Sequence, residues 1–394
     1  MLGIQATEDD THTTGGTGGP AGAGSPTVAR VDSAVADAVE DVLRTCLDER
    51  LTEAARTDGV FAAELAARVR DVALRGGKRL RAQFLWWGWR ACGGPAGEAD
   101  ARRVLSVAAA LELIQTCALV HDDVMDRSPV RRGAAAVHED FARRHALAGM
   151  RGSPESYGTA GAVLAGDLAL AWADDLVTET ALSCAEGRRL YQEWRAMRTE
   201  MVAGQYLDVR AAATGASAPE EALRIARLKT ALYTVERPLA LGAALAGATG
   251  RTTGTLRAAG RGAGLAFQLR DDLLGVFGDP RRTGKPVDED LRDGKLTYVR
   301  AVALRLADAS GDASAGAALR AAGPGLTDAQ VRGARQALES TGARRVVEAE
   351  IGRLVRTGER RLAGLPGEPA AVAALGRLVR TAAGLDPTGE ESAG

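Results

Sequence analysis

The sequence predicts an all-α protein, folded as one large bundle of ten or more helices. Three observations predict it. Ala, Leu, Arg and Glu, all good helix formers, dominate the chain between its two ends. Apolar residues recur at spacings of three and four rather than two, and no stretch reads as a convincing strand. Segments such as 159–183 and 254–277 are apolar nearly all round, which suits helices surrounded by other helices.

The chain has 394 residues, enough for a large core. Residues 1–27 are rich in Gly, Thr and Pro and read as a disordered tail; 385–394 read the same way. Between them, 28–384 show no linker and form one domain, punctuated by Gly and Pro clusters at 92–95, 151–156, 214–219, 278–286 and 321–327. Lys and Arg number 50 against 51 Asp and Glu. With no basic field and only 4% aromatic residues, the chain carries no footprint of a nucleic-acid binder. Cys46, Cys92, Cys117 and Cys184 are scattered in apolar contexts, as suits buried free thiols in a reducing cytoplasm. No run approaches the roughly 20 apolar residues of a membrane span, so none is expected.

The first chemical signal lies at 101–126, a long helical pattern that ends HDDVMD. On a helix Asp122 and Asp126 share a face, with Asp123 beside them. Carboxylates this close repel unless a cation sits among them, and their place near a helix C-terminus opposes the macrodipole. Such oxygen ligands suit Mg²⁺, which shares its coordination with phosphate and water. A solvated helix end is the competing reading. Arg131 and Arg132 follow across a Ser-Pro break.

The second signal is GLAFQLRDDLLGVFGDPRRTGK at 264–285. Asp271 and Asp272 end another apolar helix, with Gln268 one turn earlier; Lys285 and then Lys295 follow in basic loops. Two facing aspartate-ended helices can hold several Mg²⁺ ions around one polyphosphate, with lysines neutralising the remainder.

These motifs, in this order, resemble the trans-isoprenyl diphosphate synthases, or polyprenyl synthetases, and bacterial geranylgeranyl diphosphate synthases among them. GGKRLR (76–81), DDVMD (122–126) with RRG (131–133), GQYLD (204–208), KT (229–230) and FQLRDDLLGVFGD (267–279) carry the resemblance, which covers most of 30–385. It implies an isoprenoid-synthase bundle around a central apolar cavity. It implies an allylic diphosphate that ionises, with two or three Mg²⁺ as cofactor, and an attack by isopentenyl diphosphate. A homodimer is the family habit. Under the resemblance Asp122, Asp126 and Asp271 ligate Mg²⁺, supported by Asp123 and Asp272. Arg131, Lys229 and Lys285 hold the allylic diphosphate, with Thr230 and Gln268 lining its site. Lys78, Arg81 and Arg132 hold isopentenyl diphosphate, and Lys295 adds charge at the mouth. Two positions depart from the family: Gln115, where His is frequent, stays in the isopentenyl site, and Gly275 replaces a third aspartate.

Other residues have plainer expected roles. His121 packs, His138 satisfies a loop, the Trp run at 86–89 is core or interface, and Asp174 with Asp175 is a surface pair. Product length is expected to follow the residues just before Asp122. Cys117 and Ala118 are small and leave the floor open at that level, with Leu113 and Ile114 deeper. A C20 product is favoured, with longer polyprenyl products next. A class I terpene cyclase would share the fold and the first cluster but has no use for GGKRLR and Arg132. A non-catalytic regulatory subunit would lose the charged residues that are intact here.

Overall fold

A computed structural model describes residues 27–279 and 287–385. Lys285 and nearly all of both expected tails lie outside the described residues. Among those described, twelve α-helices have nine residues or more: α1 (Val35–Thr57), α2 (Leu80–Ala91), α3 (Glu98–Asp126), α4 (Val137–Leu147), α5 (Pro154–Leu182), α6 (Gly187–Thr214), α7 (Arg237–Leu245), α8 (Gly250–Phe277), α9 (Tyr298–Ser310), α10 (Asp328–Ser340), α11 (Ala343–Leu362) and α12 (Pro369–Ala382). The chain is all-α, as its helix-period pattern predicts.

Two apolar cores share the interior. One gathers α1, α2, α3, α5 and α6 around residues such as Leu111, Leu113, Trp86 and Trp194. The other gathers α8 to α12 around Leu269, Leu338, Ile351 and Leu375. The Trp run belongs to the core: Trp86 and Trp89 are fully buried, with ring centroids 4.9 Å apart. The Trp86 indole Nε1 donates to Asp32 (2.8 Å), the satisfaction a buried indole requires. Asp174 is no surface ornament. It accepts from the Trp194 Nε1 (2.7 Å) and pairs with Arg198, tying α5 to α6. The sequence pattern hid this because both partners lie on another helix.

α3 passes a membrane-span test by length and composition, but 72% of its most apolar window is buried within this protein and it packs along α5, as a core helix does.

Two local features place functional side chains. Residues Ala226–Glu236 form a π-helix between a short helix and α7. The helix is held close on two sides. A Cβ on Gly204 of α6 would stand 2.3 Å from the Lys229 nitrogen, and one on Gly264 of α8 would stand 2.3 Å from the Ala231 carbonyl. Its end is clamped by charge: Glu236, 1% exposed, accepts from Arg257 (3.0 Å) and Arg261 (2.8 Å), and Arg237 pairs with Glu193 and Glu200. The second feature is a hairpin of two-residue strands, Val130–Arg131 and Ala134–Ala135, too short to register as a strand pattern. Its turn residues Arg132 and Gly133 both have positive φ (52° and 72°), as two-residue hairpins favour. Gly133 adopts this freely, whereas a side chain at Arg132 costs about 1–2 kcal/mol.

Candidate active site

α3 ends where its carboxylates begin. Arg127 closes it in the left-handed region, and the Ser128 N–H bonds back to the Asp123 carbonyl (2.9 Å). Asp122 and Asp126 face the neighbouring helices half-buried, while Asp123 is 2% exposed. Each meets a cation brought from elsewhere in the chain. Lys229, from the π-helix, reaches Asp122 (3.1 Å) and Asp208 of α6 (2.6 Å). Lys295, from the loop before α9, reaches Asp126 (2.7 Å). Arg131, from the hairpin, donates its Nε to Asp123 (2.7 Å). Gln205 donates to the same Asp122 oxygen as Lys229 (2.9 Å).

The electrostatics follow from these pairings. Burial alone would raise the Asp122 carboxyl, but Lys229, Lys295 and Arg131 together hold it below the ordinary range, so it stays ionised. Burial of Asp123 outweighs Arg131, and its carboxyl is raised. Burial would lower Lys229 and Lys295, but the surrounding aspartates win and both ammonium groups stay charged.

The second aspartate pair ends α8 differently. Asp271 is half-buried. Asp272 turns inward, accepts from Gln268 (2.6 Å) and from the Tyr298 N–H that starts α9 (3.4 Å), and is 6% exposed. Burial, with Asp290 and Asp271 nearby, pushes its carboxyl up to about 8. Gly275, where a third acid would stand, faces another acid: its absent Cβ would sit 3.2 Å from the Asp290 carboxylate. Asp290, which acts on Asp272, also acts on Lys295, and Lys295 itself bonds Asp126 of the first cluster.

A cationic wall stands beside them. Arg132 donates to the carbonyls of Gly76 (2.5 Å) and Arg75 (3.3 Å), joining the RRG hairpin to the GGKRLR turn. Gly77 lies under this guanidinium, with its absent Cβ 3.2 Å away. Arg79, itself at φ 47°, turns inward, its Nη1 donating to Glu112 (2.8 Å) and the Ala73 carbonyl (3.1 Å). Arg81 donates to Thr234 (3.1 Å) and lies over the Tyr233 ring, whose hydroxyl donates to Gln115 (2.9 Å). Burial, together with Arg79, Arg81 and Arg131, lowers the Arg132 guanidinium, against one opposing carboxylate, Glu112. Positive charge is thus in excess here, which is the polarity a diphosphate needs.

The sequence-predicted residues therefore separate into groups. Asp122, Asp123, Asp126, Lys229, Lys295 and Arg131 come together, and Arg81, Arg132 and Gln115 form the adjoining wall. Thr230 follows Lys229, half-buried. Lys78 instead lines an open groove of about 440 Å³ with Arg377 and Thr381 of α12. Cys117 is 3% exposed and lies 3.7 Å from His121, which bonds the Val163 carbonyl of α5 (3.1 Å); His121 packs, as expected. Ala118 sits half-buried one turn below Asp122. Sequence reasoning missed Gln205, Asp208, Tyr233 and Asp290. Gln205 and Asp208 were visible as an i, i+3 polar pair inside a quoted motif. Tyr233 gave no signal, because a tyrosine at helical spacing ordinarily reads as core.

The donor set fits a hard divalent cation. Asp122 and Asp126 each already hold a cationic nitrogen at 2.7–3.1 Å. Among the described residues no three or more His, Cys, Asp or Glu side chains form a closed metal cage. Mg²⁺ takes one or two carboxylates and completes its shell with water and substrate phosphate, and the half-buried Asp122 and Asp126 offer such oxygens.

Residues 63–324 match the polyprenyl synthetase family model. The fold is similar to a geranylgeranyl pyrophosphate synthase from Corynebacterium glutamicum, solved with isoprenyl diphosphate and magnesium: TM-score 0.83, 37% identity, 88% of this chain and 99% of that one. A geranylfarnesyl diphosphate synthase of Aeropyrum pernix is 35% identical over 59% of this chain and 68% of its own length. A (2E,6E)-farnesyl diphosphate synthase of Mycobacterium bovis is 34% identical over 70% of this chain and 72% of its own length. With aspartate clusters, lysine bridges and arginine wall all falling within the matched span, the chain belongs to the polyprenyl synthetase family and is a trans-prenyltransferase.

Proposed function

We propose that the protein condenses an allylic diphosphate with isopentenyl diphosphate and releases geranylgeranyl diphosphate (C20). The observation that carries this reading is the charge division of one site: lysines set on the aspartates of α3 and α6 on one side, and under-compensated arginines on the other. The first side suits a metal-bound allylic diphosphate, the second a metal-free diphosphate.

Asp122, Asp126 and Asp271 would hold magnesium, two or three ions in all. When bound, it supplies charge neutralisation to the diphosphate oxygens as the allylic C–O bond breaks. Lys229 and Arg131 then face the leaving diphosphate, and negative charge that develops on it is stabilised there more than in the ground state. Lys295 adds positive charge at the mouth, and Lys285 would hold the allylic diphosphate with Lys229 and Arg131. Thr230 and Gln268 line the reacting centre. Arg81, Arg132 and Gln115, with Lys78 from its groove, hold isopentenyl diphosphate while its double bond attacks the allylic carbon. The lost proton goes to the departing pyrophosphate. Water is excluded by the apolar helices beneath.

Chain length rests on Ala118 and Cys117, small residues one turn below the aspartates, where a helical turn of about 5.4 Å compares with one isoprene unit. In the same reading the protein is a cytoplasmic homodimer, with exposed Leu164, Val202 and Tyr206 (56%, 63% and 66% exposed) of α5 and α6 offering an apolar face.

Incubation with Mg²⁺, isopentenyl diphosphate and each of dimethylallyl, geranyl and farnesyl diphosphate tests this. A dominant C20 diphosphate is expected. A C30 or longer ladder would keep the chemistry and move the floor below Ile114. Cyclic hydrocarbon without isopentenyl incorporation would replace the reading with a cyclase.

A further inference from the structure

One side chain touches both anion-binding groups of the arginine wall without belonging to either. Tyr233 is 3% exposed, in the π-helix that also carries Lys229. Its ring lies 4.3 Å beneath the Arg81 Cζ, and its hydroxyl donates to the Gln115 Oε1 at 2.9 Å. The next residue, Thr234, 1% exposed, accepts from the Arg81 Nη2 at 3.1 Å. Arg81 and Gln115 belong to different helices, α2 and α3, and Tyr233 joins them from a third.

We propose that Tyr233 is the positioning residue of the isopentenyl diphosphate site, orienting the Gln115 amide through its hydroxyl and the Arg81 guanidinium through its ring. The argument is one of polarity. A primary amide has an acceptor end and a donor end. Once Oε1 accepts from the phenol, the end that Gln115 turns to a diphosphate is its NH₂, which attracts an anion; the opposite orientation would turn a carbonyl oxygen toward it. The phenol is suited to this task because burial raises its own ionisation well above the usual range, so it remains a donor throughout the working pH range. The ring face opposite Arg81 fixes the plane of the guanidinium, and a fork-shaped donor depends on that plane to meet two phosphate oxygens at once. Glutamine in place of histidine at 115 is then a substitution that needs Tyr233, since an amide has no preferred end without a partner.

This inference rests on the reading that Arg81 and Gln115 hold isopentenyl diphosphate. The test separates the two. Initial rates with Y233F, Q115L, Y233F/Q115L and R81M give KM for each substrate and kcat, and thermal unfolding gives Tm. Y233F keeps the ring and removes the hydroxyl. It is expected to raise the KM for isopentenyl diphosphate about fivefold, the value of one hydrogen bond, and to leave the allylic KM and Tm in place. The double variant is expected to match Q115L rather than multiply with Y233F. R81M is expected to raise the isopentenyl KM more than tenfold. If R81M raises that KM but Y233F moves it less than twofold, or moves both KM values equally, or multiplies with Q115L, the positioning role is overturned and the site reading stands. If R81M leaves that KM unchanged, both fall.

Discussion

Asp123 and Asp272 are the second members of two aspartate pairs that look alike in sequence. Both are buried at the end of an apolar helix, 2% and 6% exposed. Burial raises both carboxyls, but their partners differ. Asp123 is met by Arg131, while Asp272 is met by a neutral amide and one backbone N–H, with two further acids close by. The difference teaches that an Asp-Asp pair is one motif with two separable tasks. In the first pair Asp122 is held charged by cations from three other segments, and Asp123, raised by burial, still has a guanidinium on it. The second keeps one carboxyl half-exposed and stores the other as a largely neutral group at the foot of α9. A carboxylic acid kept neutral by its surroundings is a structural hydrogen-bonding group.

The largest test of that contrast removes each cluster. D122A/D126A is expected to lower kcat/KM on the order of 10⁴-fold, since loss of a single charge-stabilising group costs about 10²–10³. D271A/D272A is expected to cost at least tenfold less, because in the proposed reading only Asp271 of that pair ligates. Equal losses in isopentenyl incorporation would erase the distinction.

Next comes stability. R131M leaves Asp123 buried without its partner and is expected to destabilise the fold toward the lower end of about 3–5 kcal/mol, because the guanidinium is itself 30% exposed. D272N keeps size and shape and places no charge in the core, so its stability at pH 7 is expected to lie within about 1 kcal/mol of the parent or above it. Denaturant midpoints decide.

A pH series sharpens the same point. The Asp272 carboxyl lies at about 8 in the folded protein and near 3.8 unfolded. Between these values the unfolded chain has given up a proton that the folded one keeps, so stability falls as pH rises. The metal-free protein is therefore expected to lose stability progressively from about pH 4 to about pH 8, with no further loss from this group above that. In D272N the component is absent, and the difference between the two Tm curves widens up to about pH 8. Parallel curves would show that Asp272 is ionised after all.

The smallest effect concerns Gly275. G275D restores a third acid but sets its Cβ about 3.2 Å from the Asp290 carboxylate. A loss of about 1–3 kcal/mol is expected from crowding and like charge, reduced when Mg²⁺ is added. A gain without metal would show that the space beside Asp290 is roomier than its geometry.

Much of this was legible beforehand, and the exceptions share a cause. Periodicity located the helices, and charge at helix ends located Asp122, Asp126 and Lys295, because both signals are carried by neighbours in sequence. Asp208 and Asp290 act on lysines 21 and 5 residues away, at 229 and 295. Such partnerships exist only after folding. α3 passes a span test without leaving the core, because segment apolarity reports burial without saying in what. The hairpin escaped because two-residue strands carry no alternation. Asp272 escaped because its inward turn depends on where α9 begins.

The π-helix has one more consequence. Its 11 residues are wound with i→i+5 bonds, so its side chains keep a different phase from those of the α-helices on either side. Gly204 and Gly264 fit that phase at two points, and Glu236 pins its end. The segment works as a key cut to one angular setting, with Lys229 and Tyr233 as its teeth. Point substitutions wear down single teeth, whereas removing one residue between 226 and 236 would rotate everything downstream out of that setting. An enzyme altered in that way would keep every motif that names its family and still fail to fit its lock.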